Sequence, residues 1–428
     1  MSNQKKPEGL LSGNRVLDLA DEKGLLCGKI LGDLGADVIK IEPPGGDAAR
    51  NIGPFYKDIP HPEKSLFWFF SNTSKRGITL NIETADGREI FKRLVKTADF
   101  VIETFEPGYM ARLGLSYPEL EKINPRVIMT SITPFGQTGP YAHYKGSDLV
   151  LWGMGAMQYM CGDADRPPVR ISSPQAYFHG GAQGAVGSMV AWYYRQTTGE
   201  GQHVDVSIED AMPLTLMDGV EMADIYKRSP SRGGAIRVRP RSQPYGDVMY
   251  RFNWPCKDGF VTWSHTVAGG AQAGALTHSR NIVAMAVEEG LADDYIRNYD
   301  WTKFDMATMP QEEIDRQTEF FIRFFKTKTK AELMDLAVRK HLLVGPINTV
   351  KDLLESRQLA ARGFFVPVEH PELGDTIIYP GAPAKASSLP WRIWRRAPLI
   401  GEHNEEIYIG ELSFSREQLA LLKARRVI

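Results

Sequence analysis

From Arg15 onward the chain switches repeatedly between two hydrophobic periods. "RVLDLA" (Arg15–Ala20) is a short apolar run of β character, and the following "KGLLCGKILGDLG" carries apolar residues at near-helical spacing. "ADVIKIE" (Ala36–Glu42) predicts a second strand, closed by the breaker "PPGG". "DGREIFKRLVKTA" has the period of an amphipathic helix, and "DFVIETF" (Asp99–Phe105) reads as a third strand. "YPELEKINP" predicts a helix stopped at Pro125, and "RVIMTSI" (Arg126–Ile132) a fourth strand. Strands alternating with helices imply an α/β fold whose parallel sheet is covered on both faces. The first two-thirds of this pattern is Rossmann-like.

Helical spacing returns from about Asp148 to Cys161 and from about Gln175 to Thr197, and "GQHVDVSIEDAM" predicts one more strand and helix start. In the second of these helices, Gly180, Gly181, Gly184 and Gly187 let the chain press close to a neighbour. From Tyr226 to Gln243 the sequence turns basic and Gly/Pro-rich, as a linker or mobile loop does. Beyond it, "GDVMYRFNWPCKDGFVTWSH" has β character, "RQTEFFIRFFKTKTKAELMDLAVRK" is helical, and "SREQLALLKARRVI" reads as a terminal helix. The expected division is a large Rossmann-like domain over 1–225, a linker over 226–245, a smaller α+β domain over 246–385, and a C-terminal segment over 386–428. A chain of 428 residues is long enough for two cores.

Composition narrows the function by exclusion. With 51 basic and 52 acidic residues the net charge is −1, so no global field recruits nucleic acid or a membrane surface. Cys27, Cys161 and Cys256 lie far apart and form no CxxC pair, which argues against a zinc site or a disulfide framework. The start "MSNQKKPEGLLSG" lacks the apolar core of a signal peptide, and no apolar run reaches a membrane span, so a cytoplasmic protein is expected. A G-x-G-x-x-G turn is missing after the first strand, where "VLDLADEKG" stands, and this disfavours a nicotinamide enzyme. No Walker A, HExxH or G-x-S-x-G motif occurs. The histidines are scattered singly, so no metal is expected.

Longer phrases carry more information. "GDLGADVIKIEPPGGDAAR", "NTSKRGITLNI", "ADFVIETFEPGYMARLGLSYPELEKINPRVIMTSITPFGQTGPY", "TGEGQHVDVSIEDA" and "RRAPLIGEHNEE" occur in that order, with "VGPINTVKDLLES" and "GAPAKAS" in the C-terminal third. Together they resemble the class III CoA-transferases, the formyl-CoA, carnitine and bile-acid type, nearly end to end. The resemblance implies an interlocked, chain-link dimer with coenzyme A or acyl-CoA as substrate rather than bound cofactor. It implies CoA contacts at Lys23, Gly24, Leu80, Asn81, Ile82, Thr104, Phe105, Glu106, Arg112 and Lys145. Leu80–Ile82 and Thr104–Glu106 stand at strand ends, where open α/β sheets bind ligands, and the cations suit CoA's phosphates. Glu83 and Pro43 depart from the family, replacing a basic residue and an adenine-stacking arginine.

In this family an aspartate after a Pro-Pro pair attacks the acyl-CoA thioester to form a mixed anhydride. The released thiolate converts that anhydride to an aspartyl-CoA thioester, which the acceptor acid then displaces. Counted from Pro167-Pro168 and from Thr198-Gly199, the nucleophile position falls on Tyr177, and a phenol cannot carry that relay. Three readings follow. The first is a subunit lacking the nucleophile, paired with a homologous catalytic subunit in a heterodimer or heterotetramer. Such heteromers resemble the type that moves CoA from succinyl-CoA to benzylsuccinate in anaerobic toluene degradation. The second is a self-sufficient transferase using Asp148, or else Asp163 or Asp165, although Asp148 also suits a helix cap at Leu149. The third is an acyl-CoA racemase or isomerase using His179. A CoA-binding protein without an enzymatic partner is the non-enzymatic alternative.

Overall fold

The computed structural model describes residues 8–216, 219–230, 232–239, 241, 243–264 and 272–428. The first half of "MSNQKKPEGLLSG", and parts of the basic stretch after Tyr226, lie outside the described residues. By internal contacts the chain divides into Met1–Met157, Ile171–Val220 and Arg357–Ile428 as one unit, and Gln158–Arg170 with Glu221–Ser356 as the other. These borders differ from the expected ones. The smaller unit takes up Gln158–Arg170, and residues 357–385 belong with the larger.

The larger unit is built on six parallel strands: β1 (Arg15–Asp18), β2 (Asp37–Glu42), β3 (Lys75–Thr79), β4 (Phe100–Glu103), β5 (Ile128–Thr133) and β6 (Gln202–Ser207). Their order is β3-β2-β1-β4-β5-β6, the doubly wound arrangement in which the direction of winding reverses between β1 and β4. β3, β4 and β5 are buried at every residue, as a sheet covered on both faces requires. Each sheet segment that an apolar run predicted is present.

Helix α1 (Leu25–Asp33) follows β1, and α2 (Ala85–Val95) follows β3. Thr84 caps α2 by accepting the Gly87 N–H, while Ile90, Phe91, Leu94 and Val95 bury its apolar face. The expected helix from Asp148 to Cys161 is shorter. As α3 it spans Asp148–Met154 and ends at Gly155, where any Cβ would lie 2.4 Å from Met212 Cβ. Helix α4 (Ala176–Thr198) is continuous over 23 residues. Its glycines are contact points: a Cβ would lie 2.9 Å from Leu26 Cβ at Gly181, and 2.6 Å from Ile132 Cδ1 at Gly184. This is the close packing that the glycine spacing implied. Phe178 meets the Phe70 ring edge-on at 5.9 Å and fixes the start of α4.

The C-terminal segment runs back along β3. Gly77 and Thr79 bond His403 and Asn404, and the Tyr408 hydroxyl donates to the Thr79 carbonyl at 2.7 Å. The last helix, α5 (Arg416–Ala424), carries a capping box at Ser415 and Gln418. It sends Leu419 and Leu422, and the turn after it Val427 and Ile428, into the core shared with Ile90 and Phe91.

Taken by itself, the smaller unit has an antiparallel sheet of Gly345–Ile347, Gly259–Thr262 and Asn253–Cys256. Its core gathers Trp254, Trp263, Phe321 and Phe325, with the Trp263 and Phe321 rings 4.6 Å apart. The predicted helical run resolves into Gln311–Lys326 and Lys330–Lys340. The stretch expected as a linker holds a strand, Ile236–Arg239, paired antiparallel with Val248–Arg251. Alternation at Ile236 and Val238 was the signal, and Arg237 and Arg239 beside them masked it.

Candidate active site

At the carboxyl edge of the sheet, where β1 and β4 part, a cleft of about 490 Å³ opens. Its floor is Leu19, Ile41, Leu80 and Ile82, and its walls include Pro43, Pro44, Thr104, Phe105 and Tyr109. Phe105 and Tyr109 stack with centroids 4.5 Å apart, presenting a flat apolar surface. The Thr104 hydroxyl donates to Asp21 Oδ1 at 2.7 Å and accepts the Asp21 N–H, which ties the two loops of the switch point together. Gly24 is required beside them, since a Cβ there would lie 2.6 Å from Thr104 Cγ2.

The predicted ligand contacts separate into two groups. Leu80, Asn81, Ile82, Thr104 and Phe105 line the cleft together. Lys23, Gly24, Glu106, Arg112 and Lys145 are not among its lining residues. The Lys23 ammonium is held by the Asp21 carboxylate. Arg112 lies 5.4 Å over the Tyr109 ring, at the rim, and Lys145 is exposed on the loop before α3. The two departures from the family line the cleft: Pro43 directly, and Glu83 with its carboxylate accepting the Tyr109 hydroxyl at 2.9 Å. Arg426, from the chain's last turn, also lines the cleft. Sequence reading passed over it because nothing local links a C-terminal arginine to a sheet edge far away in the chain.

Beneath the cleft, Glu103 ends β4 with its side chain buried. Glu103 Oε2 accepts the Phe105 N–H at 2.7 Å, and burial pushes the carboxyl up to about 7 although the Ser131 hydroxyl and that N–H favour its charge. Ser131 Oγ lies 2.8 Å from His203 Nε2. Burial holds the imidazole below its ordinary value, the opposing pull of Asp205 being weaker.

Tyr177 is the second residue of α4, at the start of 23 helical residues. Its phenol is pushed up to about 12, first by burial and then by the negative charge of Glu22. It is therefore neutral at physiological pH. Asp148 stands at the same place: its Oδ1 accepts the backbone N–H of Gln175 at 2.9 Å and of Tyr177 at 3.2 Å. The expected cap at Leu149 is corrected by these bonds, since Ser147 caps α3 and the Asp148 carboxylate caps α4. A carboxylate at the open N–H groups of a long helix is in its favoured electrostatic place. His179 lies one turn into α4, half-buried, its N–H bonded to the Gln175 carbonyl. Asp163 and Asp165 are exposed in the smaller unit. Among the described residues no group of three or more His, Cys, Asp or Glu is placed to hold a metal ion, and no helix is long and apolar enough to cross a membrane.

A doubly wound sheet with an apolar, partly charged cleft at its switch point places that cleft where open α/β folds bind their ligands. Residues 11–404 match the family model described as CoA-transferase family III, and the chain belongs to that family. CoA thioesters enter it as substrates. The succinyl-CoA:(R)-benzylsuccinate CoA-transferase subunit BbsE of Thauera aromatica is 36% identical over 396 residues, 92% of this chain and 92% of that protein. The formyl-CoA:oxalate CoA-transferase of Streptomyces coelicolor is 31% identical over 424 residues, covering 98% of this chain and 99% of its own length. In three dimensions the chain is similar to a CAIB/BAIF family protein from Brucella suis, with a TM-score of 0.76 and 29% identity over 94% of this chain and 99% of that one.

Proposed function

We propose that this chain is the subunit of a heteromeric class III CoA-transferase that does not itself carry the acyl group. The observation that carries the reading is Tyr177 at the start of α4, with its phenol raised to about 12. A neutral phenol forms neither the mixed anhydride nor the CoA thioester, because a carboxyl carbon is needed for both. A homologous subunit supplies that carboxylate, and the two chains interlock. The relay then balances within the partner. Its carboxylate oxygen bonds to the donor acyl carbon as CoA thiolate leaves. The thiolate next attacks the carboxyl carbon and expels the donor acid. Finally the acceptor carboxylate attacks the enzyme thioester and expels CoA thiolate, giving an acceptor–enzyme anhydride; the thiolate attacks its acceptor acyl carbon and the enzyme carboxylate leaves unmodified. The similarity to a benzylsuccinate CoA-transferase subunit supports succinyl-CoA as donor and an aryl-substituted dicarboxylate as acceptor.

In this reading the cleft binds CoA's nucleotide end, with Leu80, Asn81 and Ile82 on one side and Thr104 and Phe105 on the other. Lys23, Gly24, Glu106, Arg112 and Lys145 then act from outside its lining. One observation favours a second reading, in which Asp148 is the nucleophile: Asp148 Oδ1 bonds the backbone of Tyr177 itself. That carboxylate already accepts two N–H groups, which lowers its nucleophilicity.

Native mass spectrometry of the complex from source cells, followed by incubation with succinyl-CoA, separates the readings. The expected result is a complex with a second homologue, whose peptide alone gains a CoA adduct that borohydride reduces. A homodimer that gains this adduct at Asp148, and loses it in Asp148→Asn, overturns the proposal.

A further inference from the structure

The cleft is short of positive charge for a ligand as anionic as CoA. Its carboxylates are already engaged: Asp21 by Lys23, Glu42 by Arg50 at 2.6 Å, Asp47 by Lys40 at 3.2 Å, and Glu83 by the Tyr109 hydroxyl. Arg426 is the one cationic side chain among the lining residues. It is exposed, and among the described residues no carboxylate stands within ion-pairing distance of it. Its neighbour Arg425, by contrast, pairs with Asp86 at 3.6 Å.

The backbone at Arg426 makes its presence a choice. The Arg426 N–H bonds the Lys423 carbonyl and the Val427 N–H the Leu422 carbonyl, each at 2.9 Å. This double closure ends α5 in a left-handed residue, a position that glycine fills at least cost. Arg426 sits there with φ 55°. The turn is pinned on both sides, since the Asn81 N–H donates to the Val427 carbonyl at 2.7 Å and the Val427 and Ile428 side chains are buried. A strained non-glycine residue, held over a ligand cleft with a free guanidinium, points to a binding role.

We infer that Arg426 is the phosphate-binding residue of this cleft, contributed by the C-terminal turn, and that it sets the preference for phosphorylated CoA over its unphosphorylated arm. The inference rests on the reading of the cleft as the CoA site. Phe105 and Tyr109 offer the stacking surface for adenine, and the guanidinium meets a phosphate bidentately. That phosphate is either the 3′-phosphate or the diphosphate.

Isothermal titration of the purified full-length protein with CoA, 3′-dephospho-CoA and pantetheine tests it, using the wild type, Arg426→Ala, Arg426→Lys, Arg426→Gly and Arg112→Ala. Loss of an exposed charge-assisted contact weakens CoA binding by roughly tenfold. That loss is expected in Arg426→Ala and Arg426→Gly, with partial recovery in Arg426→Lys and an unchanged pantetheine affinity. Arg426→Gly keeps or raises the melting temperature, so its loss is not unfolding. If the deficit vanishes with 3′-dephospho-CoA, the partner is the 3′-phosphate; if it persists, the partner is the diphosphate. Unchanged CoA affinity in Arg426→Ala overturns the inference, as does an equal loss for pantetheine or a larger loss in Arg112→Ala. A wild-type protein that binds no CoA overturns the underlying reading of the cleft, and the inference with it.

Discussion

Glu103→Gln isolates a costly buried charge in the larger unit. The carboxyl is buried at the end of β4 and pushed from about 4.5 up to about 7, by burial above all. Below about pH 4.5 both the folded and unfolded chains hold this proton, and the site costs nothing. As pH rises from 4.5 to 7 the unfolded chain releases it while the folded chain keeps it, so the folded state loses stability. Above about 7 the penalty levels off at about 3 kcal/mol, worked at about 1.36 kcal/mol per pH unit. Glutamine removes the titration without changing shape. Its amide oxygen accepts the Phe105 N–H that Glu103 now holds at 2.7 Å. Its NH₂ donates to Ser131, whose hydroxyl then turns to His203 Nε2, 2.8 Å away. An uncharged imidazole accepts that bond by changing tautomer, a form that burial favours by holding the His203 imidazole below its ordinary value. The assay is urea unfolding of wild type and variant at about pH 5 and about pH 8. Glu103→Gln is expected to gain about 3 kcal/mol at about pH 8 and less than about 1 kcal/mol at about pH 5. A variant less stable than wild type at the higher pH would refute the reasoning, because it would show a carboxylate whose charge the site stabilises.

Two further outcomes follow from geometry. Gly28→Ala puts a Cβ 2.1 Å from Asp18 Oδ2, an atom fixed by the buried Lys75 at 2.7 Å. It is expected to cost about 3 kcal/mol in chemical denaturation, through overpacking and a disturbed buried pair, and a cost under about 1 kcal/mol would show that the pair can move aside. Asp148→Ala removes the acceptor of the Gln175 and Tyr177 N–H groups and is expected to lower stability by about 1 kcal/mol, with Asp148→Asn intermediate; equal melting temperatures for all three proteins would show that the cap contributes nothing.

Five of the six strands were legible: β1, β2, β4 and β5 lie in largely apolar runs, as β2 shows, whereas β3, with Lys75 and Arg76 among its five residues, offered no such run. "ADVIKIE" is buried along nearly its whole length, Lys40 and Glu42 included. Those two charges did not mislead, because Asp47 and Arg50 neutralise them inside. The cleft was half legible. Leu80–Ile82 and Thr104–Phe105 sit at strand ends, and a strand end predicts where backbone and apolar walls will lie. The cations were not legible. Lys23 has the right charge at the right turn, yet Asp21 two residues earlier takes it, a short-range competition that spacing alone does not rank. Asp148 shows the same limit from the other side. Its local sequence fits a cap for its own helix, but Ser147 fills that role, and the carboxylate turns to α4, a helix that begins only at Ala176.

On the proposed function, Arg426 and Tyr177 divide binding from chemistry. At Tyr177 the helix start that would favour a carboxylate holds a neutral phenol, with Asp148 serving its N–H groups from the side. The electrostatic demand of the helix is thus met without a reactive acid on it. At Arg426 the opposite holds: a position that glycine suits better keeps a charged side chain beside the ligand cleft. A phenol at the one place and a strained arginine at the other fit the proposed subunit, in which this chain binds CoA's nucleotide end while chemistry proceeds on its partner.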